Sequence, residues 1–442
     1  MSQIRLDFHT EKMDRFVTAL VANEKGEFFE LDGYAAVGMA GSRLVPLTAE
    51  STINMPFGSE YMFLPKRRPI VYDKKTGQFE VLVCNPHAPG EDVFPVSSFN
   101  APGYTICLAS AYVEVSGAGP LPLFSYGAVG WLGKGGRVAA VRVDWERRQD
   151  LRLMPLDGVR AGVSRCRRLM PTNRLCRHLE TCALVYGCPA AKNFFLGRYE
   201  APLPTSTRCN ARCWGCLSLQ RGSGIPSTQE RITFTPTPDE IAEVAIYHIK
   251  HVNRAVVSFG QGCEGDPLLA AEVIGPAVRR IRRAVGRAGT INMNTNASLP
   301  HVVERLLDAG LDSIRVSMNS VRRPCYEAYF RPKGYRFSDV VDSVNLAGQR
   351  GKFVSINYLS LPGFTDGAPE VTAFLSFLEE HPVSMIQWRN LNFDPLRYRR
   401  IIGEHVNDSD MMGISALLEK VRAAFPRLKS GYFNPPKEKF KS

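Results

Sequence analysis

Eleven cysteines stand in this 442-residue chain, and seven of them fall between Cys166 and Cys216. The first residues, Met1-Ser2-Gln3-Ile4-Arg5-Leu6-Asp7, place charges where a signal peptide needs an apolar stretch, so the expected location is cytoplasmic. In a reducing compartment clustered thiols point to metal binding or catalysis rather than to disulfides. The tightest group is Cys209-Asn210-Ala211-Arg212-Cys213-Trp214-Gly215-Cys216, a C-x3-C-x2-C spacing. Three thiolates can hold three irons of a [4Fe–4S] cube and leave the fourth iron open to a small molecule. A structural zinc site wants a fourth protein ligand and paired C-x2-C knuckles. Packing alone rarely collects three cysteines on one loop.

A second group lies upstream: Cys166, Cys176, Cys182 and Cys188, spaced C-x9-C-x5-C-x5-C. Four thiols suffice for an accessory [4Fe–4S] cluster or one all-thiolate zinc site, and they also fit unligated thiols; the spacing leaves the three open. Arg160, Arg165, Arg167, Arg168, Arg174 and Arg177 surround them. These would offset the charge of a thiolate-bound cluster, and serve equally as a solvated face or a contact for an anionic substrate. Cys84 and Cys107 sit in strand-like stretches and read as buried small hydrophobes. Cys263 either faces a cofactor or packs. Cys325 could act as a hydrogen donor or radical relay, but no activating group adjoins it and a core position is the simpler reading.

The elements that must position these thiols change in character along the chain. Residues 1–160 read as a β-rich domain: Phe79–Val83, Tyr112–Val115 and Val138–Val143 are short strand-like runs, with turns at Asp73–Gly77 and Gly133–Gly136. Gly133-Lys134 resembles half a phosphate loop, yet no Ser or Thr follows and no helix begins there. Residues 161–202 form a Cys- and Arg-rich connector. From about 203 to 402 strand and helix alternate, with strands expected at 255–259, 290–294, 313–317, 353–359 and 385–391. Helices are expected near 238–251, 268–286, 301–309, 338–350 and 368–380. Thr237, Pro238, Asp239 and Glu240 form a helix start signal. With a first strand just before Cys209, this pattern predicts an α/β chain: a partial (β/α)6 TIM-like barrel preceded by a β-rich domain. Residues 403–442 add one helix near 410–424 and a Lys- and Pro-rich tail.

Composition sets the outer limits. At 44% hydrophobic and 10% aromatic residues the chain is not disordered, and no apolar run approaches the roughly 18–20 residues of a membrane-spanning helix. The net charge of +12 fits an anionic partner or a solvated basic surface. Its densest run, Arg279, Arg280, Arg282, Arg283 and Arg287, lies on the outer face of a helix with Val278, Ile281 and Val285 as the buried stripe.

The cysteine spacing resembles that of the radical S-adenosylmethionine enzymes, and over about residues 203 to 395 further motifs follow in order. Gly260-Gln261-Gly262-Cys263-Glu264-Gly265-Asp266-Pro267 resembles the family's Gly-Gly-Glu-Pro segment, which contacts the amino group of the cofactor. Thr295-Asn296-Ala297 resembles its Thr-Asn-Gly turn, and Ser317-Met318-Asn319 its Ser-x-Asp ribose and carboxylate contacts. The resemblance implies a [4Fe–4S] cluster on Cys209, Cys213 and Cys216. It also implies S-adenosylmethionine contacts among Gly260, Gly262, Glu264, Gly265, Asp266, Thr295, Asn296, Ser317 and Asn319. There are two departures. The family's aromatic residue before the third cysteine is Gly215, so Trp214 becomes the candidate for the adenine contact. The acid of the second motif is Asp266 by register, with Glu264 as the alternative. Taken alone, the glycines equally suit a strand-to-helix turn, and period 2 puts Ser317 and Asn319 on one face whatever that face meets.

The resemblance further implies reductive cleavage of S-adenosylmethionine to methionine and a 5′-deoxyadenosyl radical that takes a hydrogen atom from substrate. It requires a one-electron reductant such as a flavodoxin or ferredoxin. The expected substrate is a peptide or protein side chain, because peptide-modifying members resemble this chain in carrying accessory clusters. RNA comes next, on net charge, and the β-rich domain is expected to help hold the substrate. A zinc-containing nucleic-acid-binding module is the rival from another class. It leaves the motifs from Gly260 to Asn319 unexplained. Methyl transfer through cobalamin lacks a D-x-H-x-x-G signature.

Overall fold

The computed structural model describes residues 16–220, 222–403 and 410–441; the leader-like reading of Met1–Asp7 falls outside them. No helix among the described residues is long and apolar enough to cross a membrane.

The N-terminal part is a 12-stranded antiparallel sheet. Its long strand, Phe28–Ala40, pairs with Thr18–Ala22, Arg43–Pro46 and Arg67–Asp73. Arg67–Asp73 turns back through Lys74–Gly77 onto Gln78–Val81, and Gly133 at φ 61° turns Gly127–Leu132 onto Gly135–Val138, as the turn chemistry predicts. Cys84 departs from expectation: its two-residue strand lies at the surface and the thiol is exposed.

Three helices then form the connector: α1 (Leu156–Leu169), α2 (Arg174–Leu184) and α3 (Pro189–Phe195). Asn173 caps α2 by accepting from Cys176 N, and Pro189 opens α3 at a position where its missing N–H is not needed.

The remaining chain builds a seven-stranded parallel sheet with strands in sequence order. These are β1 (Glu200–Pro202), β2 (Val256–Phe259), β3 (Thr290–Thr295), β4 (Ser313–Met318), β5 (Phe353–Ser360), β6 (Met385–Asn390) and β7 (Lys429–Gly431). The arrangement is a partial TIM barrel. Strands β2 and β3 are buried at every residue, and in β3 the apolar Ile291 and Met293 alternate with Asn292 and Asn294. The crossovers are α4 (Pro238–His251), α5 (Ala271–Val285), α6 (Pro300–Ala309), α7 (Arg323–Phe330), α8 (Phe337–Gln349), α9 (Ala368–Glu380), α10 (Pro395–Ile402) and α11 (Ile414–Ala424). The Thr237 signal is a full capping box: Thr237 Oγ1 accepts from Glu240 N at 3.2 Å, and Glu240 accepts from Thr237 N at 2.8 Å. Glu240 also takes three hydrogen bonds from Arg174, tying α4 to α2. That guanidinium holds its carboxyl down to about 2.

Two features close the half-barrel. Asn390, at the end of β6, accepts from Ile106 N at 2.9 Å and donates to Tyr104 O at 3.1 Å, so one side chain docks Tyr104–Ile106, a strand that pairs with Ala140–Arg142 in a separate two-stranded sheet. The expected C-terminal tail instead supplies β7 and then Asn434, which enters the barrel interior. Its amide donates to Glu200 on β1, Ser258 on β2 and Asn294 on β3, and accepts from Gln387 on β6. One amide can satisfy several buried polar side chains at once, which removes the cost of leaving them bare.

Candidate active site

Loops at the carboxyl ends of the parallel strands meet around a cavity of about 450 Å³. In parallel sheets this is where ligands gather, because the chain there is free of ladder bonds. Cys209, Cys213 and Cys216 from the loop after β1 all line it. So do Gly260, Gly262, Glu264, Gly265 and Asp266 after β2, Thr295 and Asn296 after β3, and Ser317 on β4.

The cysteine loop is held from two sides. Arg212 N and Trp214 N donate to the carbonyls of Phe330 and Tyr329 at the end of α7. Asn210 donates to Ser298 and accepts from Asn296, joining the loop to the turn after β3. Burial pushes the Cys209 thiol up to about 12 and also raises that of Cys213. An electropositive metal reverses that penalty by binding the thiolate. Arg231 already donates to Cys216 Sγ at 3.5 Å and to Ser218 Oγ at 3.1 Å. The donor set of three thiols on one loop, with no fourth cysteine on it, fits a [4Fe–4S] cluster with one open iron.

The two acids after β2 have separate tasks. Glu264 accepts four backbone hydrogen bonds, from Thr205, Ser206, Gly260 and Gln261, at 2.7–2.9 Å. It thereby clamps the end of β2 to the segment after β1. Its carboxyl is pushed up to about 7 by burial, against the pull of those four N–H groups. Asp266 accepts from Leu268 N, Thr295 Oγ1 and Asn296 N at 2.6–3.0 Å, joining the loops after β2 and β3. A Cβ at Gly260 would overlap the Asn294 carbonyl, and one at Gly265 the Arg208 carbonyl. These glycines are therefore set by close backbone approach. Ala297 takes φ 56° in the turn where the resemblance has glycine.

Two expected contacts stand apart from the cavity. Trp214 is not among its lining residues: its indole donates to Ala328 O at 3.1 Å and the ring lies under Arg331, 4.0 Å from the guanidinium, with Arg397 at 5.3 Å. Asn319 is fully buried beside the α7–α10 junction, donating to Cys325 O and Tyr398 Oη. Cys325 is likewise buried outside the cavity, its thiol pushed up to about 11 by desolvation.

The cavity also holds residues that sequence reasoning did not single out. Tyr329 reaches it from α7, and Arg315 on β4 and Arg389 on β6 share its interior. Arg315 donates to Gln387 at 3.2 Å, but its Nε is buried without a partner. Burial, then the charge of Arg389, pulls the Arg315 pKa down to about 9. Asn357 Oδ1 on β5 is a second buried polar atom without a partner. The alternation in Arg315-Val316-Ser317 was the available signal, since it puts Arg315 on the face of Ser317.

The upstream thiols separate. Cys166 neighbours Cys176, whereas Cys182 Sγ lies 3.5 Å from His178 Nε2 and within 4.8 Å of Cys263 Sγ. Cys188 lines the cavity, with its thiol pushed up to about 11 by burial.

Fold and site together define a half-barrel that sets three loop thiols, Cys209, Cys213 and Cys216, into a cavity at the carboxyl ends of its parallel strands. Residues 203–375 match the model of the radical SAM superfamily, to which this part of the chain is similar. It is 27% identical over 190 residues to a GTP 3′,8-cyclase of Listeria monocytogenes, covering 41% of this chain and 51% of the relative. It is 25% identical over 289 residues to molybdenum cofactor biosynthesis protein 1 of Bos taurus, covering 61% and 41%. The chain thus spans about half the length of the curated relatives it matches. The solved structure of methylornithine synthase aligns at TM-score 0.38 and 16% identity, covering 64% of this chain and 74% of that one. Radical SAM enzymes carry a [4Fe–4S] cluster and use S-adenosylmethionine. Such enzymes need a reductant.

Proposed function

We propose that this enzyme takes a hydrogen atom from a substrate carrying an anionic group, and that Arg315 and Arg389 bind that group. The observation that carries the reading is the Arg315 Nε, a buried guanidinium donor without a partner beside the cavity that holds the cluster thiols. A buried donor left unpaired costs about 1–3 kcal/mol, and an anion would both pair it and offset the repulsion from Arg389. Arg389 is set for this role by Tyr432, whose carbonyl it bonds at 3.2 Å and whose ring lies 3.9 Å from its guanidinium.

A reduced cluster held by Cys209, Cys213 and Cys216 would supply the electron for reductive cleavage of S-adenosylmethionine. The chain's own residues do the rest: Cys209, Cys213 and Cys216 hold the cluster, Asp266 and Glu264 fix the loops around the cofactor, and Asn434 closes the barrel from inside.

The name of the Listeria relative makes GTP the first anion to test. The peptide or protein side chain expected from the sequence enters this reading as an acidic side chain, and RNA through its phosphates. The reading does not depend on the accessory cluster expected on Cys166, Cys176, Cys182 and Cys188. A cytoplasmic location and a flavodoxin or ferredoxin donor complete it. The test is 5′-deoxyadenosine formation by the reconstituted enzyme with GTP, a glutamate-rich peptide or a short RNA. One of these raises the rate, and Arg315→Gln increases its KM about 100-fold while leaving substrate-free cleavage intact. A rate increase indifferent to Arg315→Gln contradicts the proposal.

A further inference from the structure

Within Gly260–Pro267, Cys263 is the residue that does not line the cavity. Its side chain meets α2 instead. His178 Nε2 lies 3.5 Å from Cys263 Sγ and 3.5 Å from Cys182 Sγ, and the two sulfurs lie within 4.8 Å of each other. Among the described residues this is the one group of three His, Cys, Asp or Glu ligand atoms within 4.8 Å of one another. Both sulfurs are buried and the imidazole is half-buried.

The separations are those of ligands on one ion. A tetrahedral zinc with bonds of about 2.3 Å to sulfur and about 2.0 Å to nitrogen sets its nitrogen and sulfur about 3.5 Å apart. A [4Fe–4S] cube carries each thiolate on a different iron, which spreads its ligands further than a single ion does. A disulfide would use the two sulfurs and give the imidazole no reason to stand equidistant from both. His178 and Cys182 are four residues apart on α2, so one helical face presents two ligands without distortion. The His178 ring is further set edge-on against Phe234, with centroids 6.4 Å apart.

We propose that His178, Cys182 and Cys263 bind one zinc ion, with water as fourth ligand, and that the ion ties α2 to the cofactor loop. Glu264 follows Cys263 directly, so the ion anchors the end of the loop whose next residues shape the cavity. Binding replaces the thiol protons by the metal. The site is separate from the radical cluster and holds whether or not the substrate is an anion.

The test uses the full chain carrying Ala at positions 209, 213 and 216, which removes the radical cluster and leaves this site readable. After chelator treatment under anaerobic conditions, Co2+ is titrated. One equivalent is expected to give the visible bands of tetrahedral Co2+ with near-ultraviolet thiolate bands, and one equivalent of Zn2+ to bleach them. Adding Cys182→Ser, Cys263→Ala or His178→Ala weakens Co2+ binding by about tenfold or more. Cys166→Ser leaves it unchanged, and His178→Cys keeps binding with shifted thiolate bands, which separates ligand loss from misfolding. Absence of the bands would overturn the proposal. So would bands indifferent to Cys182→Ser, a Cys182–Cys263 disulfide in the isolated protein, or about four irons and sulfides retained by the Ala variant.

Discussion

The hydroxyl of Tyr329 occupies the space into which a Cβ on residue 215 would project. Glycine before the third cluster cysteine and tyrosine at the end of α7 are therefore one packing solution. Gly215→Ala forces the Tyr329 ring aside. The expected cost is about 1–3 kcal/mol, with loss of cluster occupancy on anaerobic reconstitution. Tyr329→Phe vacates that space, so the double variant should recover most of the iron lost by Gly215→Ala. Additive losses, measured as iron per chain, would show the two residues to be uncoupled.

Glu264 and Asp266 should respond differently to neutralisation. Glu264→Gln turns an amide NH2 toward two of the four backbone N–H groups that the carboxylate satisfies. The expected destabilisation is about 3 kcal/mol or more, visible as a lowered unfolding midpoint. Asp266→Asn disturbs the Thr295–Asn296 turn while keeping one acceptor oxygen. It should weaken S-adenosylmethionine binding, read by equilibrium dialysis, with iron content intact. Unchanged affinity in Asp266→Asn would move the cofactor contact to Glu264.

His248, on α4, contributes a pH dependence of known sign. It is 1% exposed, packs near Phe194 and meets the Tyr199 carbonyl at 3.3 Å. Burial pulls its pKa from 6.5 down to about 4. The unfolded chain therefore binds this proton more readily. The neutral ring's contribution is complete above about pH 6.5 and is lost as pH falls toward 4. A shift of that size corresponds to about 3 kcal/mol. His248→Phe should flatten this part of the acid-unfolding profile relative to wild type, followed by melting temperature on cluster-free protein. Parallel profiles would contradict it.

The parallel strands were legible because β2 to β6 are buried runs bounded by helices with caps, such as the Thr237 box. The three-thiol loop was legible because its ligands are close in sequence. What escaped depends on contacts across the chain. Cys182 meets Cys263 rather than the upstream thiols, and His178, 85 residues before Cys263, carries no local sign of it. Lys429–Gly431 has no apolar pattern, since edge pairing to β6 rather than burial makes it a strand. Asn434 reads as tail polarity until the sheet supplies Glu200, Ser258, Asn294 and Gln387 around it. Trp214 was the obvious aromatic beside the cysteines, but the backbone turns it toward Arg331 and brings Tyr329 to the cavity instead.

The central claim is that Cys209, Cys213 and Cys216 hold the cluster that drives the reaction. Its most direct test measures iron, sulfide and 5′-deoxyadenosine together, on anaerobically reconstituted wild type and on single Ala variants at the three positions. Wild type should hold about four irons and four sulfides per chain and form 5′-deoxyadenosine from S-adenosylmethionine under dithionite, and each variant should form none. Cleavage at the wild-type rate by any one of the three variants would contradict the account.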